Sequence, residues 1–352
     1  MPSSSGARGA AALQLVCIVA GLLLVPLALR AANRARQVPD LEPTYLPAIE
    51  GPRDRRPFDS APREGLAHIK PTYVIIGDSM AGSRIEPPLL GKLTAQAVVP
   101  LWQAGTGSAW WYLALKNWVI ASGAHPKCTF IFFRDTNLTD ATFRVEEPYR
   151  WSLDLVAGDR EDEVNAILGK RGGGSFYRLR TAVNRAYHVS EAREWIEPGV
   201  GNLPAQLMFA YRRPREVFMT QLNDRMGLDH LRTMDAADIR AAEDEDADFD
   251  RFINESFLPL MLRDAQRADV PLCFVRVQRR PEGGQPPFQS SALRKYTRQL
   301  RDYIEANGAY FHDDYGDPQQ TLDLYGDGDH LTHDGRFKYT ELFYNRLRLM
   351  FP

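Results

Sequence analysis

Cysteine is scarce in this chain, and its scarcity excludes one class of protein at once. Cys17, Cys128 and Cys273 are the only three among 352 residues, too few for a disulfide scaffold. Cys17 lies in an apolar run, and the other two border or enter strand-like segments. We expect small buried hydrophobic side chains at these positions, so cysteine usage gives no indication of the redox compartment.

A surplus of charge is also missing. Lysine and arginine total 43 and aspartate and glutamate total 45, a formal net charge of −2 that gives no general reason to expect nucleic-acid binding. The histidines show no spacing typical of metal ligands, and the acidic run at 243–248 lacks the glycine of a calcium loop. The glycine cluster at 172–174 has neither a strand before it nor Gly-Lys-Ser/Thr after it. We predict neither a metal nor a cofactor.

Charged side chains are absent from residues 11–29. As a helix, this stretch would reach about 28 Å, close to the hydrocarbon thickness of a bilayer. We predict an uncleaved N-terminal membrane anchor, a single transmembrane helix within residues 1–36. A cleaved signal peptide is the alternative, but cleavage near Ala32 would put Arg30 where a small side chain is needed.

Arginines flank this stretch on both sides, with Arg8 before it and Arg30, Arg34 and Arg36 after it. The positive-inside rule therefore does not orient the segment. Because a lone N-terminal anchor most often exports the domain attached to it, we predict a single-pass protein of the inner (cytoplasmic) membrane. The large domain would then be extracytoplasmic, in the periplasm.

Residues 37–70 come after the predicted anchor and are rich in proline. Six prolines recur between charged residues, at positions 39, 43, 47, 52, 57 and 62. Such a stretch cannot bury a core and favours extended polyproline geometry. We predict a tether that holds the domain away from the membrane.

Five short apolar runs punctuate the remainder of the chain. They are Tyr73–Ile76, Ala97–Leu101, Thr129–Phe133, Leu272–Val277 and Ala309–His312. Runs without alternation suit strands buried on both faces of a parallel sheet. Helical patterns separate them, at Pro87–Leu93, Ala109–Ala121, Phe257–Ala268, Ser291–Ala306 and Arg336–Met350, with Ser108 as a candidate N-cap. The pattern predicts a doubly wound α/β fold.

The third and fourth predicted strands are separated by far more chain than any ordinary connection needs. Residues 138–256 are therefore predicted to form a largely helical insertion. It would divide the α/β core into a first part at 71–137 and a second part at 257–352.

Candidate catalytic residues lie just after the predicted strands. Ser79 comes directly after the first strand, and Asp327 and His330 come after the fifth. Catalytic groups of open parallel sheets collect at the carboxyl ends of the strands. A serine, an imidazole and a carboxylate at one edge are equipped to attack an ester carbonyl. The alternatives are that Ser79 caps a helix, that Asp327 belongs to a simple turn, and that His333 replaces His330 as the base.

These residues resemble the four short sequence blocks of the SGNH hydrolase superfamily, the GDSL-like esterases and acyltransferases. Gly77-Asp78-Ser79 is similar to the first block, and Asp327-x-x-His330 to the fourth. The resemblance implies a flavodoxin-like sheet with Ser79 as nucleophile, His330 as base and Asp327 as the partner that orients the imidazole. It also implies that the Ser79 backbone N–H belongs to the oxyanion hole.

The second and third blocks are matched less closely. Gly105 or Gly107 is similar to the glycine of the second block, and Asn137 to the asparagine of the third, so the resemblance places these residues in the oxyanion hole. Asp135 and Leu138 stand where the third block usually has glycine and aspartate. The choice between the two glycines stays open.

The resemblance implies a serine esterase or O-acyltransferase that acts on O-acyl esters through an acyl-serine intermediate. An anchor followed by an SGNH domain is similar to accessory proteins of cell-envelope polysaccharide O-acetylation, which commonly work beside a membrane-bound O-acyltransferase. The expected partners are thus an acylated carbohydrate or another O-acyl ester, the membrane through residues 11–29, and such an acyltransferase. The alternatives are a plain hydrolase and a catalytically idle scaffold or binding subunit.

Overall fold

The computed structural model describes most of the α/β core. The described residues are 58–145, 149–158, 160–171, 247–281, 285, 287–326 and 328–350, together with 14, 16, 20 and 24. The predicted anchor therefore lies almost entirely outside the described residues, as does most of the predicted insertion. Among the residues that are described, no helix combines the length and the apolar character needed to cross a membrane.

The chain divides into two compact units, one of residues 1–55 with 175–236 and one of 56–174 with 237–352. The sheet and the helices around it belong to the second unit. The described parts of the predicted insertion include three helices, at Arg150–Val156, Asp162–Arg171 and Phe249–Phe252. The domain boundaries inferred from the sequence stay a prediction.

A five-stranded parallel sheet forms the centre of the second unit. Its strands are β1 Tyr73–Gly77, β2 Val98–Trp102, β3 Cys128–Phe133, β4 Leu272–Arg276 and β5 Tyr310–Asp313. The spatial order β2-β1-β3-β4-β5 is that of flavodoxin-like doubly wound sheets. The predicted parallel α/β fold is confirmed.

Burial explains why these runs form strands. Every residue of β1, β3 and β4 is buried, because these central strands are covered by helices on both faces. The outer strands β2 and β5 are partly exposed. Pro100 lies in β2, where an edge strand tolerates the missing N–H donor.

Ten α-helices are described around the sheet. They are α1 Ala61–Ile69, α2 Ser79–Arg84, α3 Pro87–Thr94, α4 Ser108–Ala114, α5 Arg150–Val156, α6 Asp162–Arg171, α7 Phe249–Phe252, α8 Leu258–Arg267, α9 Ser291–Ala306 and α10 His333–Met350. Helix α4 continues as a π-helical segment at Leu115–Ile120. Ser108 is the first residue of α4 and its side chain donates to the Asp140 carbonyl, so the prediction that it is the N-cap is wrong.

Helix α1 occupies the end of the segment predicted as an extended tether. Leu66 is buried, and the Trp118 indole donates a hydrogen bond of 2.8 Å to the Asp59 carbonyl just before the helix. Pro62 stands in the first turn, where its missing N–H costs nothing. The described residues from Asp59 to Ile69 therefore pack on the core and do not form an extended tether.

The last helix anchors the loop that precedes it. Phe343 of α10 is fully buried and contacts the rings of Phe130 and Phe132 on β3, with centroids 5.2 and 5.5 Å away. Cys128 and Cys273 are buried free thiols in the same core, as predicted. Packing of α10 on the sheet fixes the start of the helix at the carboxyl edge of the strands.

Candidate active site

A short turn places Ser79 at the carboxyl end of the central strand β1. The strand ends at Gly77, and Ser79 is the first residue of α2. Asp78 is the N-cap, because its Oδ1 accepts a hydrogen bond of 2.8 Å from the Met80 N–H. Ser79 therefore does not cap the helix, and its hydroxyl is left for other contacts.

The imidazole of His330 meets this hydroxyl. His330 Nε2 lies 2.9 Å from Ser79 Oγ, although 251 positions separate the two residues. The His330 carbonyl accepts a hydrogen bond of 2.8 Å from Gly326 N–H, and Tyr325 and Leu331 form an antiparallel bridge. The loop is thus closed on itself, and a potential base lies within hydrogen-bond distance of a potential nucleophile.

Asp327, predicted to orient this imidazole, lies outside the described residues. The described carboxylate of the same loop is Asp329, which makes contacts that the sequence did not suggest. Arg134 Nη1 lies 2.6 Å from Asp329 Oδ2, and the Arg280 N–H donates to Oδ1 at 2.8 Å. The Asp329 carbonyl accepts a bond of 3.2 Å from Arg84. The residue just before His330 is therefore held from three directions.

Arg84 also ties helix α2 to this loop. Its guanidinium is fully buried and donates to the Gln278 carbonyl at 2.6 Å and to the Met80 carbonyl at 3.4 Å. The central carbon of the guanidinium lies 6.0 Å from the ring centroid of Tyr325 and 5.9 Å from that of Tyr339. A buried cation is costly unless it is paired, and here carbonyl oxygens and aromatic faces offset part of that cost.

Asp135, which stands where the third block of the resemblance usually has glycine, lies in a left-handed turn. Asp135 has a φ of +43°, the left-handed conformation that glycine adopts readily and aspartate tolerates. Its carboxylate lies 2.6 Å from Arg276 Nη2 and also pairs with Arg279. Burial alone would raise the pKa of Asp135, but the two arginines outweigh it and hold that pKa below its usual range. Aspartate thus fits the conformation of this turn and neutralises a buried arginine.

Gly105 and Gly107 have no side chain, so aromatic residues can pack closely against their backbone near the site. A Cβ atom at Gly105, where φ is +77°, would lie 2.7 Å from the Tyr149 ring. A Cβ atom at Gly107 would lie 2.5 Å from the Phe143 carbonyl oxygen. The structure therefore gives both glycines a packing role, and their place in the oxyanion hole stays a prediction.

These elements surround a pocket of about 320 Å³. It is lined by Asp78, Ser79, Met80, Arg134, Asn137, Phe143, Arg144, Gly328, Asp329 and His330. Burial raises the pKa of Asp78, and the Met80 N–H and the charge of Arg144 oppose the shift. The described residues contain no group of three or more histidines, cysteines or carboxylates arranged to hold a metal ion.

The structure brings together three of the predicted site residues, Ser79, Asn137 and His330, at this pocket. Gly105 and Gly107 are not among its lining residues. Sequence reasoning missed Arg84, and no local pattern distinguishes it from a surface arginine.

No protein-family model and no curated protein sequence matches the chain. Solved structures similar to it include a GDSL-like lipase from Bacteroides thetaiotaomicron, with 12% identity and a TM-score of 0.35 over 79% of this chain and 88% of that one. A putative acylhydrolase from Bacteroides fragilis is 12% identical with a TM-score of 0.35, over 84% of this chain and 92% of that one. The chemistry of the pocket therefore has to be judged from its own contacts.

Proposed function

We propose that the chain is an SGNH-type serine enzyme that cleaves or transfers O-acyl groups through an acyl-serine intermediate. The observation that carries this proposal is the 2.9 Å contact between Ser79 Oγ and His330 Nε2 at an open pocket. A serine hydroxyl is a poor nucleophile at its ordinary pKa, and an adjacent imidazole is the usual means of activating it.

The first step is attack by Ser79 on the ester carbonyl. His330 Nε2 accepts the hydroxyl proton as the Oγ–carbon bond forms, and Asp327 is proposed to stabilise the imidazolium. The tetrahedral intermediate then collapses, and the imidazolium returns the proton to the departing alcohol. The acyl-serine is released by water, or by a second hydroxyl, through the same steps in reverse.

The negatively charged oxygen of the tetrahedral intermediate must be stabilised by hydrogen-bond donors. Asn137 lines the pocket together with Ser79, which supports its side-chain amide as a proposed donor to the oxyanion. The Ser79 backbone N–H and the N–H of Gly105 or Gly107 are the other proposed donors. Removal of one oxyanion donor typically lowers kcat by about 100- to 1000-fold.

The cellular setting is proposed from the sequence. Residues 11–29 would anchor the chain in the inner membrane, with the catalytic unit in the periplasm. An acylated envelope polysaccharide is then the substrate that such an enzyme would meet, and a membrane-bound O-acyltransferase is the proposed partner. Transfer would appear as slow hydrolysis that accelerates when a carbohydrate acceptor is added, whereas a hydrolase needs only water.

A fluorophosphonate probe, which reacts with activated serines, tests the proposal on the full-length chain. Wild type is expected to be labelled and Ser79→Ala is not. Ser83→Ala is a matched control, because Ser83 lies on the same helix and its hydroxyl donates to the Met80 carbonyl. Equal labelling of wild type and Ser79→Ala, or no labelling of either, contradicts catalysis by Ser79. The second result is the one that the idle scaffold predicts.

A further inference from the structure

Arg144 lines the pocket and has an unusual backbone conformation. It lines the pocket together with Ser79, and its backbone has a φ of +57°. A non-glycine residue with a long side chain seldom adopts this left-handed conformation. Residues held in such conformations concentrate at ligand-binding and catalytic sites, where the surrounding structure stabilises them.

Aromatic rings hold the Arg144 guanidinium in place. Its central carbon lies 4.7 Å from the centroid of the Phe143 ring and 5.2 Å from that of Tyr149. The missing side chains of Gly107 and Gly105 make room for the Phe143 backbone and for the Tyr149 ring, respectively. A guanidinium that already contacts aromatic rings has less side-chain freedom to lose when it binds a ligand.

Among the described residues, few groups use the hydrogen-bonding capacity of Arg144. Asp78 Oδ2 lies 3.7 Å from Arg144 Nη1, too far for a hydrogen bond, while Asp78 Oδ1 already accepts from Met80. In the part of the chain that the structure describes, the guanidinium makes this loose ion pair and the two ring contacts, and its side chain is 29% exposed. By contrast, Arg134 of the same pocket is committed to Asp329 at 2.6 Å.

We infer that Arg144 forms a subsite for a carboxylate carried by the substrate beside the ester on which Ser79 acts. The inference rests on the proposed function and adds a substrate class to it. A guanidinium has five N–H donors in a planar fork that matches a carboxylate bidentately. The carboxylate can belong to the acyl group, as in a half-ester of a dicarboxylic acid, or to the alcohol, as in an O-acylated uronic acid.

The competing interpretation is that Arg144 only offsets the charge of Asp78. The two interpretations differ in what the Arg144→Met variant does. If Arg144 only offsets Asp78, anionic and neutral esters are affected equally. If Arg144 binds the substrate carboxylate, the anionic ester alone loses affinity.

Steady-state hydrolysis by the full-length chain tests whether the bound carboxylate belongs to the acyl group. Mono-para-nitrophenyl succinate and para-nitrophenyl butyrate have four-carbon acyl chains that differ in a terminal carboxylate. In Arg144→Met we expect kcat/KM for the succinate ester to fall about tenfold relative to the butyrate ester, mainly through KM. Arg144→Lys should recover part of this loss. The matched control is Arg160→Met, since Arg160 is 82% exposed and does not line the pocket.

A binding measurement, which does not require turnover, tests whether the bound carboxylate belongs to the alcohol. Galacturonate and galactose are compared as ligands of full-length Ser79→Ala by saturation-transfer NMR, with and without Arg144→Met. Preferential binding of galacturonate that is lost in the double variant supports the uronic-acid source, and loss confined to the succinate ester supports the acyl source. Equal responses of charged and neutral ligands to Arg144→Met in both measurements overturn the inference. If wild type hydrolyses neither ester and the fluorophosphonate probe does not label Ser79, the proposed function fails, and the NMR comparison alone decides whether Arg144 binds carboxylates.

Discussion

The buried ion pair behind the site provides a sharp test of how the fold is stabilised. Asp135 is nearly fully buried, with Arg276 Nη2 2.6 Å and Arg276 Nε 3.2 Å from its Oδ1, and with Arg279 on Oδ2. The informative substitution is Asp135→Asn. Asparagine tolerates the φ of +43° at this position as aspartate does, so the change removes the charge and leaves the backbone unstrained.

The expected cost depends on the contacts that the substitution leaves behind. Arg276 has a side chain only 2% exposed, and removing one partner of a buried pair typically costs about 3–5 kcal/mol. Two contacts moderate the loss. Arg276 Nη1 keeps Asp313 at 3.3 Å, and the asparagine carbonyl still accepts a hydrogen bond. We therefore expect the lower end, about 3 kcal/mol, in the free energy of unfolding.

Urea unfolding of the full-length chain, followed by circular dichroism, measures this cost. Asp162→Asn is the control, because Asp162 pairs with Arg160 at 3.1 Å but its side chain is 74% exposed. Such an exposed pair is worth no more than about 1 kcal/mol. If Asp135→Asn lowers the free energy of unfolding no more than Asp162→Asn does, the buried network does not stabilise the fold as argued.

Three further predictions concern the loop, the glycine turn and the response to acid. Asp329→Asn weakens the contact with Arg134 and should lower kcat about tenfold with little change in the melting temperature, measured with para-nitrophenyl acetate; unchanged kcat would show that the contact does not position the imidazole. Gly105→Ala puts a methyl group 2.7 Å from the Tyr149 ring at a φ of +77°. It should lower the free energy of unfolding, measured by thermal unfolding, by about 1–3 kcal/mol. An unchanged free energy of unfolding would show that the turn relaxes around the methyl group. The pKa of Asp135 is lowered in the folded chain, so its stabilisation is present above the ordinary aspartate pKa, about 3.9, and is lost as pH falls through the lowered value. The unfolding free energies of wild type and Asp135→Asn should therefore converge below about pH 4, and a constant difference down to pH 2 would contradict the assigned pairing.

The strands could be predicted from the sequence because their signal is local. Burial on both faces requires consecutive apolar residues, and the run Val74-Ile75-Ile76 reports that requirement directly. In a parallel sheet the carboxyl ends of all strands lie at the same edge. The position of Ser79 at that edge could therefore be predicted from β1 alone. The proximity of Ser79 and His330 was then a consequence of the topology rather than of any pattern near either residue.

The contacts that hold the site could not be predicted in this way. Arg134 and Asp329 lie 195 positions apart, and Arg84 and Asp329 lie 245 apart, so no helix or strand periodicity relates them. Arg144 adopts a positive φ without being glycine or asparagine, and no turn signal in the sequence marks it. Charged side chains that are buried by tertiary packing resemble surface residues in the sequence, and only the fold distinguishes them.

Local interpretation also failed where two signals competed. Prolines and charges from 37 onward suggested one extended tether, yet the residues around Leu66 have helical spacing and bury one side chain against the core. Ser108 has the chemistry of an N-cap, but Gly107 occupies that position and the serine hydroxyl bonds to Asp140 instead. In both cases tertiary packing overrode a local preference.

Detection of the acyl-serine is the most direct test of the proposed chemistry. The full-length chain is mixed with para-nitrophenyl acetate, quenched in acid within the first turnover and digested, and its peptides are identified by mass spectrometry. Catalysis by the Ser79–His330 pair predicts an acetyl group on Ser79 in wild type and none on that peptide in His330→Ala. Ester hydrolysis by wild type without acetylation of Ser79, or acetylation at another residue that supports turnover, would contradict it.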